Sequence, residues 1–338
     1  MSFQNKNAST APRPITTRRP QTVLASLALI SLLAHCGETA SEPQPEPEAA
    51  PAINEITAEL VASDPSWGNT EGPAVDSHGN LYFTSRGTYK GIVQWNAADG
   101  PQQYAAVATM AGPGGLWIDA GDNIFLTATQ ERKILKVAPD KTVSVVAENF
   151  EVLSPEISTG PNDLVVSKNG TVYSTVPNGY YGESPNGTIY RTTPDGVTSV
   201  FSDEITGPNG IILSADDKTL YVAHNISKTA ARIERWPLNE DGSAGTIAAV
   251  ATVENCVGDG MAVDQQDGIW VTCYGFGTAY RVTPDGKFTD KITTEQKALT
   301  NAAFGRGADN TTLYLSSSDM ERVTGYIYRA TVTVPGLR

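Results

Sequence analysis

Residues 258–264 read GDGMAVD, and residues 268–273 read GIWVTC. Both segments are short apolar runs with polar or small residues at their ends, and the Gln265-Gln266-Asp267 connection between them is polar. Apolar runs that alternate on either side of a short polar turn are typical of an antiparallel β-hairpin. This hairpin is the unit from which the rest of the chain is built.

The same hairpin pattern occurs six times, and its copies begin 43, 48, 47, 50 and 42 residues apart. A period of about 40–50 residues made only of strands and turns is typical of a β-propeller, in which each period forms one four-stranded blade. We therefore predict an all-β fold, a six-bladed β-propeller formed by residues 53–338. Residues 53–61 precede the first copy and are predicted to form the outer strand of the last blade. The six copies begin at Glu71, Gly114, Asn162, Asn209, Asp259 and Asn301.

The first 35 residues have a different character. They contain four basic residues and no acidic residue, and residues 22–34 form an apolar run of 13. This run is too short to cross a bilayer of about 30 Å as a helix, and it matches the core of a secretory signal. It ends in LAHC at residues 33–36, which resembles the lipobox of bacterial lipoproteins, although His35 stands where a small residue is usual. We expect residues 1–35 to be a lipoprotein-type signal peptide and Cys36 to carry lipid; an uncleaved membrane anchor is the alternative.

Residues 36–52 are rich in Pro and Glu and contain no large apolar side chain. We expect them to form an extended tether that holds the folded body away from a membrane. The predicted location is beyond the bacterial inner membrane, lipid-anchored in the periplasm or at the cell surface. Loss of the signal changes the formal net charge from -13 to -17, which provides no attraction to nucleic acid or anionic lipid. Membrane contact is expected only through the lipid, and the body is expected to be a monomer.

The register of the repeat predicts a metal site. In a propeller, the residues at the entry to the innermost strands face the central channel at one end, and here they include the carboxylates of Glu71 and Asp259 and several amides. Carboxylates removed from water need a partner. Oxygen ligands with two negative charges suit Ca²⁺, or another hard divalent cation, better than zinc or copper. The alternative is that Asn, Asp and Gly recur because each blade needs the same turn, which explains the Asn-Gly copies but neither Glu71 nor Asp259.

The chain contains three cysteines. With Cys36 assigned to the lipid, Cys256 and Cys273 remain, and the register of the hairpin brings both near the same rim. A disulfide and two buried thiols are both compatible with this placement. No spacing of Cys and His matches a zinc site, and no nucleophile–His–acid arrangement is recognisable.

Four motifs carry a resemblance to a known family. They are EGP at residues 71–73, PNDLV at residues 161–165, PNG at residues 208–210, and DGMAVD with WVTCYG between residues 259 and 275. In this order and at this spacing they resemble the gluconolactonase/regucalcin family, also called the senescence marker protein family, from about Trp67 to Ser318. The resemblance implies a six-bladed propeller whose channel holds one divalent cation, usually Ca²⁺. It also implies the cation's ligands, which are Glu71, Asn162, Asn209 and Asp259.

The resemblance further implies metal-assisted hydrolysis. The cation would polarise the lactone carbonyl and stabilise the oxyanion that forms as water adds. Asp259 is the candidate catalytic residue that activates the water. In relatives that hydrolyse phosphofluoridates the equivalent carboxylate is thought to attack directly, so base and nucleophile remain alternatives. The candidate substrate-binding residues are Asn301, Tyr180 and Tyr181, with Trp67, Tyr274 and Phe276 as further candidate walls.

Three departures from the family pattern bear on specificity. Gly114-Gly115-Leu116 stands where sugar lactonases usually carry Asn-Gly-Leu, Thr129 stands where they carry a histidine, and residues 174–177 read STVP instead of FTDP. These changes remove polar groups from the substrate side and leave the metal ligands intact. We predict a Ca²⁺-dependent hydrolase that opens sugar or related lactones, with gluconolactone itself in doubt. The alternative is a non-catalytic, surface-tethered propeller that binds a ligand or protein and keeps a structural cation.

Overall fold

The computed structural model describes residues 52–105, 112–151, 160–179, 181 and 186–337. This part of the chain forms 25 β-strands and one 3₁₀ helix, Gly307–Asp309, and contains no helix long and apolar enough to cross a membrane. The fold is all-β and propeller-like. Residues 1–51, which include the predicted signal, Cys36 and nearly all of the tether, lie outside the described residues, as does Tyr180.

Two strands, β1 (Asn54–Thr57) and β2 (Glu59–Asp64), precede the first hairpin. Each of the six hairpin copies then begins a group of strands, which we call modules 1–6. Modules 1–4 are separate four-stranded antiparallel sheets. Their strands are β3 (Thr70–Val75), β4 (Leu81–Arg86), β5 (Lys90–Asn96) and β6 (Gly100–Ala105) in module 1; β7 (Pro113–Ile118), β8 (Ile124–Ala128), β9 (Lys133–Val137) and β10 (Val143–Glu148) in module 2; β11 (Leu164–Val166), β12 (Val172–Val176), β13 (Thr188–Thr192) and β14 (Thr198–Ser202) in module 3; β15 (Pro208–Leu213), β16 (Thr219–Asn225), β17 (Ala230–Pro237) and β18 (Ala248–Glu254) in module 4.

Modules 5 and 6 belong to one nine-stranded sheet. A single residue pair, Tyr274 with Ala298, joins its two halves. Module 5 contains β19 (Val257–Val263), β20 (Ile269–Tyr274), β21 (Thr278–Val282) and β22 (Phe288–Thr293), and module 6 contains β23 (Ala298–Phe304), β24 (Thr312–Ser318), β25 (Gly325–Thr331) and the N-terminal strand β2.

The N-terminal segment supplies the outer strand of the last module, so the prediction for residues 53–61 is confirmed only for its last part, from Glu59 onward. Strand β2 pairs antiparallel with β25, and Arg329 Nε donates to Glu59 Oε2 across this pair at 3.0 Å. The sequence indicates one strand here, whereas the structure has two. Strand β1 pairs parallel with β22, where it covers the backbone groups that an edge strand would expose.

Threonine hydroxyls on the second strands join neighbouring modules. They donate to backbone carbonyl oxygens of the next module's innermost strand: Thr84 Oγ1 to Gly114 at 2.9 Å, Thr127 Oγ1 to Asn162 at 2.8 Å, Thr175 Oγ1 to Asn209 at 2.7 Å and Thr272 Oγ1 to Thr300 at 2.9 Å. Between module 6 and module 1, Thr300 Oγ1 donates to the carbonyl of Thr70 at 2.8 Å. Since each bond satisfies a buried carbonyl, the series fixes the spacing of the innermost strands.

Aspartates hold the modules together at the other end of the hairpins. Asp122, Asp217 and Asp267 lie in the turns between first and second strands, with φ values of 57°, 58° and 56°. Their carboxylates accept backbone N–H groups from the turn of the preceding module: Asp122 from Ser77 at 2.9 Å, Asp217 from Lys168 at 2.6 Å and Asp267 from Ala215 at 2.8 Å. We call these three residues the turn aspartates. Aspartate tolerates this left-handed backbone better than most residues.

Candidate functional site

A central cavity of about 90 Å³ lies between the innermost strands of all six modules. Its walls are mainly apolar, and it marks the axis of the channel that the sequence predicts. The walls include Val75, Ile118, Leu164, Ile212, Val263 and Phe304. The residues predicted to bind metal lie near the beginnings of these strands; we call that end the mouth.

Glu71 and Asp259 lie at irregularities in strand pairing. The register of β3 with β4 shifts between Glu71 and Ala74, and that of β19 with β20 shifts between Gly258 and Met261. Such a bulge redirects the side chains within it. The glycine that follows each carboxylate permits a close approach: a Cβ on Gly72, which has φ of 52°, would lie 2.3 Å from the amide nitrogen of Leu116, and one on Gly260 would lie 1.9 Å from Cγ of Asn301. The glycines in these copies therefore serve contact between neighbouring modules.

The two carboxylates are buried and repel each other. Glu71 is 7% exposed and Asp259 is 8% exposed. Burial raises the pKa of Glu71 above its usual value, and burial followed by the negative charges of Glu71 and Asp163 raises the pKa of Asp259 well above its own. The guanidinium groups of Arg86 and Arg322 oppose both shifts. Buried carboxylates without sufficient donors need a positive partner.

The predicted amide ligands also lie at the mouth. Asn209 is 4% exposed, and its Oδ1 is buried without a hydrogen-bond partner. Its backbone carbonyl accepts from Thr175, which fixes the main chain. Asn162 is half-buried just before β11, and its backbone N–H donates to the carbonyl of Thr175 at 2.7 Å. An orphaned buried acceptor is costly, and a bound cation or water would satisfy it.

The residues present fit a hard divalent cation. Two carboxylates and two amide oxygens are the donors that Ca²⁺ takes in proteins. Within the described residues there is no cluster of three or more His, Cys, Asp or Glu side chains that could hold a metal. A site built here therefore needs the amide oxygens of Asn162 and Asn209 as well as the carboxylates of Glu71 and Asp259.

Asp163 is a polar residue of the channel that the sequence interpretation missed. It is 5% exposed, its Oδ1 accepts from the backbone N–H of Leu164 at 2.9 Å, and its Oδ2 accepts from Asn301 Nδ2 at 3.3 Å. Burial raises its pKa to about 7. This hydrogen bond joins module 3 to module 6, and both of its residues line the cavity. The sequence does contain a sign of its role, because Asp163 follows Asn162 at a position where copies 1, 2, 4 and 5 have glycine.

The sixth copy is offset by one residue from its predicted alignment. The carbonyl that accepts the intermodule hydrogen bond belongs to Gly114, Asn162 and Asn209 in modules 2–4 but to Thr300 in module 6. Asn301 is therefore equivalent to Asp163, and its Oδ1 accepts from the backbone N–H of Ala302 at 2.8 Å. Its role toward a substrate stays a prediction.

Aromatic candidates divide between the mouth and the core. Tyr181 is 39% exposed, and burial together with the charge of Asp259 raises its pKa, so it lies near that carboxylate. Tyr274 ends β20, and its hydroxyl accepts from Nε and Nη2 of Arg322, both at 3.1 Å. Trp67, by contrast, is 4% exposed and packs edge-on against Phe83, with ring centroids 4.9 Å apart. Phe276 packs partly buried against the largest apolar cluster.

A disulfide joins Cys256 to Cys273 and flanks the first residues of β19. Both cysteines are fully buried, and their Cα atoms are 4.6 Å apart. Cys273 pairs with Gly258, one residue before Asp259, because the bulge in β19 shifts the register. The structure thus decides between the two states that the sequence leaves open, and the bond ties the start of this innermost strand to its partner.

The residues at two of the family departures are packed into the structure. Thr129 is 9% exposed and donates its hydroxyl to the carbonyl of Pro161 at 2.8 Å. A Cβ on Gly114 would lie 2.4 Å from Oγ1 of Thr127. Module 2 therefore brings no side chain from position 114 to the mouth, and Thr129 acts as a link between modules 2 and 3.

Comparison with known proteins places these features in a family. The family described as SMP-30/Gluconolactonase/LRE-like region matches residues 69–319. A gluconolactonase of Zymomonas mobilis is 27% identical over 298 residues, which cover 77% of this chain and 78% of that protein. A calcium-binding regucalcin of Agrobacterium tumefaciens is a structural neighbour with 20% identity and a TM-score of 0.65, covering 84% of this chain and 97% of its own. A gluconolactonase of Xanthomonas campestris has 20% identity and a TM-score of 0.64, covering 86% of this chain and 99% of its own. At such identities the structural neighbours establish the fold.

Proposed function

Because the chain belongs to the SMP-30/gluconolactonase/LRE-like family, we propose that it is a lactonase that depends on a divalent cation, with Ca²⁺ as the cation expected. In this proposal modules 1–6 are the six blades of a β-propeller, and the two halves of the nine-stranded sheet are the fifth and sixth blades. The substrate is a small lactone or a related ester, and the body acts as a monomer.

One observation carries the proposal. The mouth contains two buried carboxylates whose pKa values burial raises, beside an amide oxygen of Asn209 that has no hydrogen-bond partner. Buried carboxylates that repel each other and a buried amide oxygen without a partner both favour a bound cation, which would balance the charge and satisfy the oxygen.

In the proposed mechanism Glu71, Asn162, Asn209 and Asp259 hold the cation. A bound divalent cation supplies Lewis acidity to the carbonyl oxygen of the lactone. Asp259 takes the proton from the attacking water, since a carboxylate among the proposed ligands is within reach of that water. Direct attack by Asp259 is the alternative. Tyr181 is proposed to bind substrate at the mouth, where Asn301 and Asp163 line the cavity. Tyr180 lies outside the described residues and keeps its predicted substrate-binding role.

The proposal extends to location. The signal and lipobox of residues 1–36 direct the chain across the bacterial inner membrane, and lipid on Cys36 holds it in the periplasm or at the cell surface. The Cys256–Cys273 disulfide supports this assignment, because disulfides persist in oxidising compartments.

A hydrolysis assay on the body from Ile53 onward tests the function. Acid release from aldonolactones, simple γ- and δ-lactones and a phosphotriester is followed with added Ca²⁺ and with chelator. Asp259→Asn is expected to lower turnover about 10²–10⁴-fold, as for loss of a general base. Asp285→Asn, an exposed carboxylate of the same module, is the matched control and is expected to change nothing.

The outcomes separate the two candidate functions. Turnover that requires metal and fails in Asp259→Asn supports the lactonase. Ca²⁺ binding without turnover of any substrate favours the tethered binding protein. The packing of Thr129 and the lack of a side chain at Gly114 also favour that alternative. Turnover that survives chelation contradicts the metal-dependent mechanism.

A further inference from the structure

The contact between modules 4 and 5 breaks the series of threonine links. In modules 1, 2, 3 and 5 the second strand carries the threonine whose hydroxyl reaches the next module, and the residue at the same position of β16 in module 4 is Ala223. Alanine has no hydroxyl to donate. A different side chain therefore makes the link to module 5, the module that carries Asp259.

Asn225 makes this link. It lies two residues after Ala223, on the same face of β16, and its amide bonds twice to the main chain of Gly258 in module 5. The N–H of Gly258 donates to Asn225 Oδ1 at 2.8 Å, and Asn225 Nδ2 donates to the carbonyl of Gly258 at 3.3 Å. This carbonyl belongs to the peptide group that ends in the nitrogen of Asp259. Asn225 thus holds the main chain immediately before the Asp259 side chain.

The main chain of Asn225 is connected to the segment of a second predicted ligand. Its N–H donates to the carbonyl of Gly207 at 3.4 Å, two residues before Asn209. One residue after Asn209 the two innermost strands touch, since a Cβ on Gly210 would lie 2.1 Å from the carbonyl oxygen of Asp259. The contact between modules 4 and 5 therefore sets the spacing of Asn209 and Asp259, and Asn225 bonds to both segments.

Gly258 is held closely on both sides. A Cβ on Gly258 would lie 2.9 Å from Cβ of Ala231, the residue that pairs with Asn225 on β17. Within module 5, Gly258 pairs with Cys273, which the disulfide joins to Cys256. The start of β19 is therefore fixed covalently inside its own module and by the Asn225 amide toward module 4.

Asn225 is too deeply buried to act on a ligand directly. Its side chain is 0% exposed, so it contacts neither a cation nor a substrate at the mouth. It can influence a bound cation only through the residues that it orients. Removal of a group that orients a metal ligand typically costs about 10–100-fold in metal affinity or activity.

We propose that Asn225 is a positioning residue for Asp259, which it holds in place relative to Asn209 through Gly258, an inference that rests on the proposed function. The break in the threonine series then has a purpose. A threonine hydroxyl binds one carbonyl of the next module, whereas the amide of Asn225 binds both the N–H and the carbonyl of one residue. Two bonds to one residue fix the orientation of the main chain as well as its distance.

Calorimetric titration of the metal-free protein with Ca²⁺ tests the positioning role. Asn225→Ala is expected to weaken the affinity for Ca²⁺ about 10–100-fold. Ser317→Ala is the matched control, because it also removes a buried hydrogen bond at the mouth end, from Ser317 Oγ to the carbonyl of Ala298 at 3.0 Å, in a module without a predicted metal ligand. It is expected to lower Tm and to keep the Ca²⁺ affinity.

Kinetic measurements add a readout that a loss of stability does not change. With saturating Ca²⁺ and the lactone of the assay above that the wild type opens fastest, Asn225→Ala should lower kcat and leave KM nearly unchanged, because the buried side chain does not contact substrate. Asn225→Thr, which offers a hydroxyl of the kind that links the other modules, should recover part of the Ca²⁺ affinity and of kcat. It also carries the test if Asn225→Ala does not fold.

The outcomes distinguish failure of this inference from failure of the lactonase function. Weaker Ca²⁺ binding by Asn225→Ala supports the positioning role even if the wild type opens no lactone. Wild-type Ca²⁺ affinity and kcat in a folded Asn225 variant with a lower Tm would show a purely structural side chain and overturn the inference. An equal loss of affinity in Ser317→Ala would also overturn it, since any weakening of the mouth would then have the same effect. Neither Ca²⁺ binding nor turnover by the wild type overturns both.

Discussion

Both ends of the six hairpins are rich in carboxylates, but the carboxylates are held in opposite ways. At the turn end, Asp264 is fully buried, accepts N–H groups from Gln266 and Gly268, and pairs with Nε of Arg281 at 2.6 Å. At the mouth, Glu71 and Asp259 are almost as buried but raise each other's energy. The turn end uses carboxylates to build the fold, and we propose that those of the mouth bind a cation.

The pKa values express the same contrast. Burial works against ionisation of Asp122, but hydrogen bonds from the hydroxyl and amide of Ser77 hold its pKa below the usual value. At the mouth, burial dominates and the pKa values of Glu71 and Asp259 rise. Residue type alone therefore does not set the pKa of a buried carboxylate; the balance between burial and hydrogen-bond donors does.

Removal of the Asp264 carboxylate at the turn end is expected to have the largest effect on stability. Asp264→Ala leaves Arg281 buried without its partner and is expected to lower the free energy of unfolding by about 3–5 kcal/mol. Denaturant unfolding monitored by circular dichroism measures it. Ca²⁺ affinity should change little in the fraction that remains folded; a loss of affinity as large as that of Asp259→Asn would contradict the separation of the two ends.

The dependence of stability on pH should be set by the buried carboxylates of the channel, above all by Asp163. Asp163 has a pKa raised from 3.8 to about 7 in the folded state, so folding takes up protons between these values. The metal-free protein is therefore expected to lose stability as the pH rises from about 4 to 7, by a few kcal/mol in total. Unfolding midpoints in chelator across this range measure the effect, and Asp163→Asn should flatten the slope. A stability that rises through the whole window would show that the turn-end carboxylates dominate.

Added Ca²⁺ should stabilise the folded protein, because the cation would balance the buried carboxylates of the mouth. A ligand that binds only the folded state at 100 times its Kd stabilises it by about 2.7 kcal/mol. We expect an increase in Tm of the wild type with Ca²⁺ and little increase for Asp259→Asn. Without metal, Asp259→Asn should be at least as stable as the wild type, because it removes a buried repulsion. A metal-free variant much less stable than the wild type would identify Asp259 as a structural carboxylate.

The smallest expected effect concerns one of the turn aspartates. Asp217→Gly keeps the left-handed backbone but removes the hydrogen bond from Lys168, and should cost about 0.5–1.5 kcal/mol. Comparison with Asp217→Ala, which adds backbone strain at φ of 58°, separates the two contributions. Identical losses for the two variants would mean that the left-handed conformation contributes nothing.

Much of this architecture could be predicted from the sequence because it repeats. The hairpins, the six copies and the gathering of Glu71 and Asp259 follow from a pattern of period two inside a longer period. Residues that do not follow the repeat were harder to predict. Asp163 stands at a position where copies 1, 2, 4 and 5 have glycine, and the offset at Asn301 appears only when the intermodule hydrogen bonds are traced.

Other features could not be predicted because they depend on contacts between distant segments. Arg86 and Arg322 are 236 positions apart, and neither belongs to a motif. The parallel pairing of β1 with β22 joins segments from opposite parts of the chain and replaces one expected strand by two. Burial and neighbouring charge, which decide what a carboxylate does, are likewise properties of the packed structure.

The division of the N-terminal segment into two strands has a mechanical consequence. A pulling force applied to the chain before Asn54 reaches β1 first, where four residue pairs connect it to β22. The β2–β25 pair comes next and bears load only after β1 has detached. Since β1 adds a fifth strand to module 5, we expect it to detach first under load while the strand order of module 6 is kept.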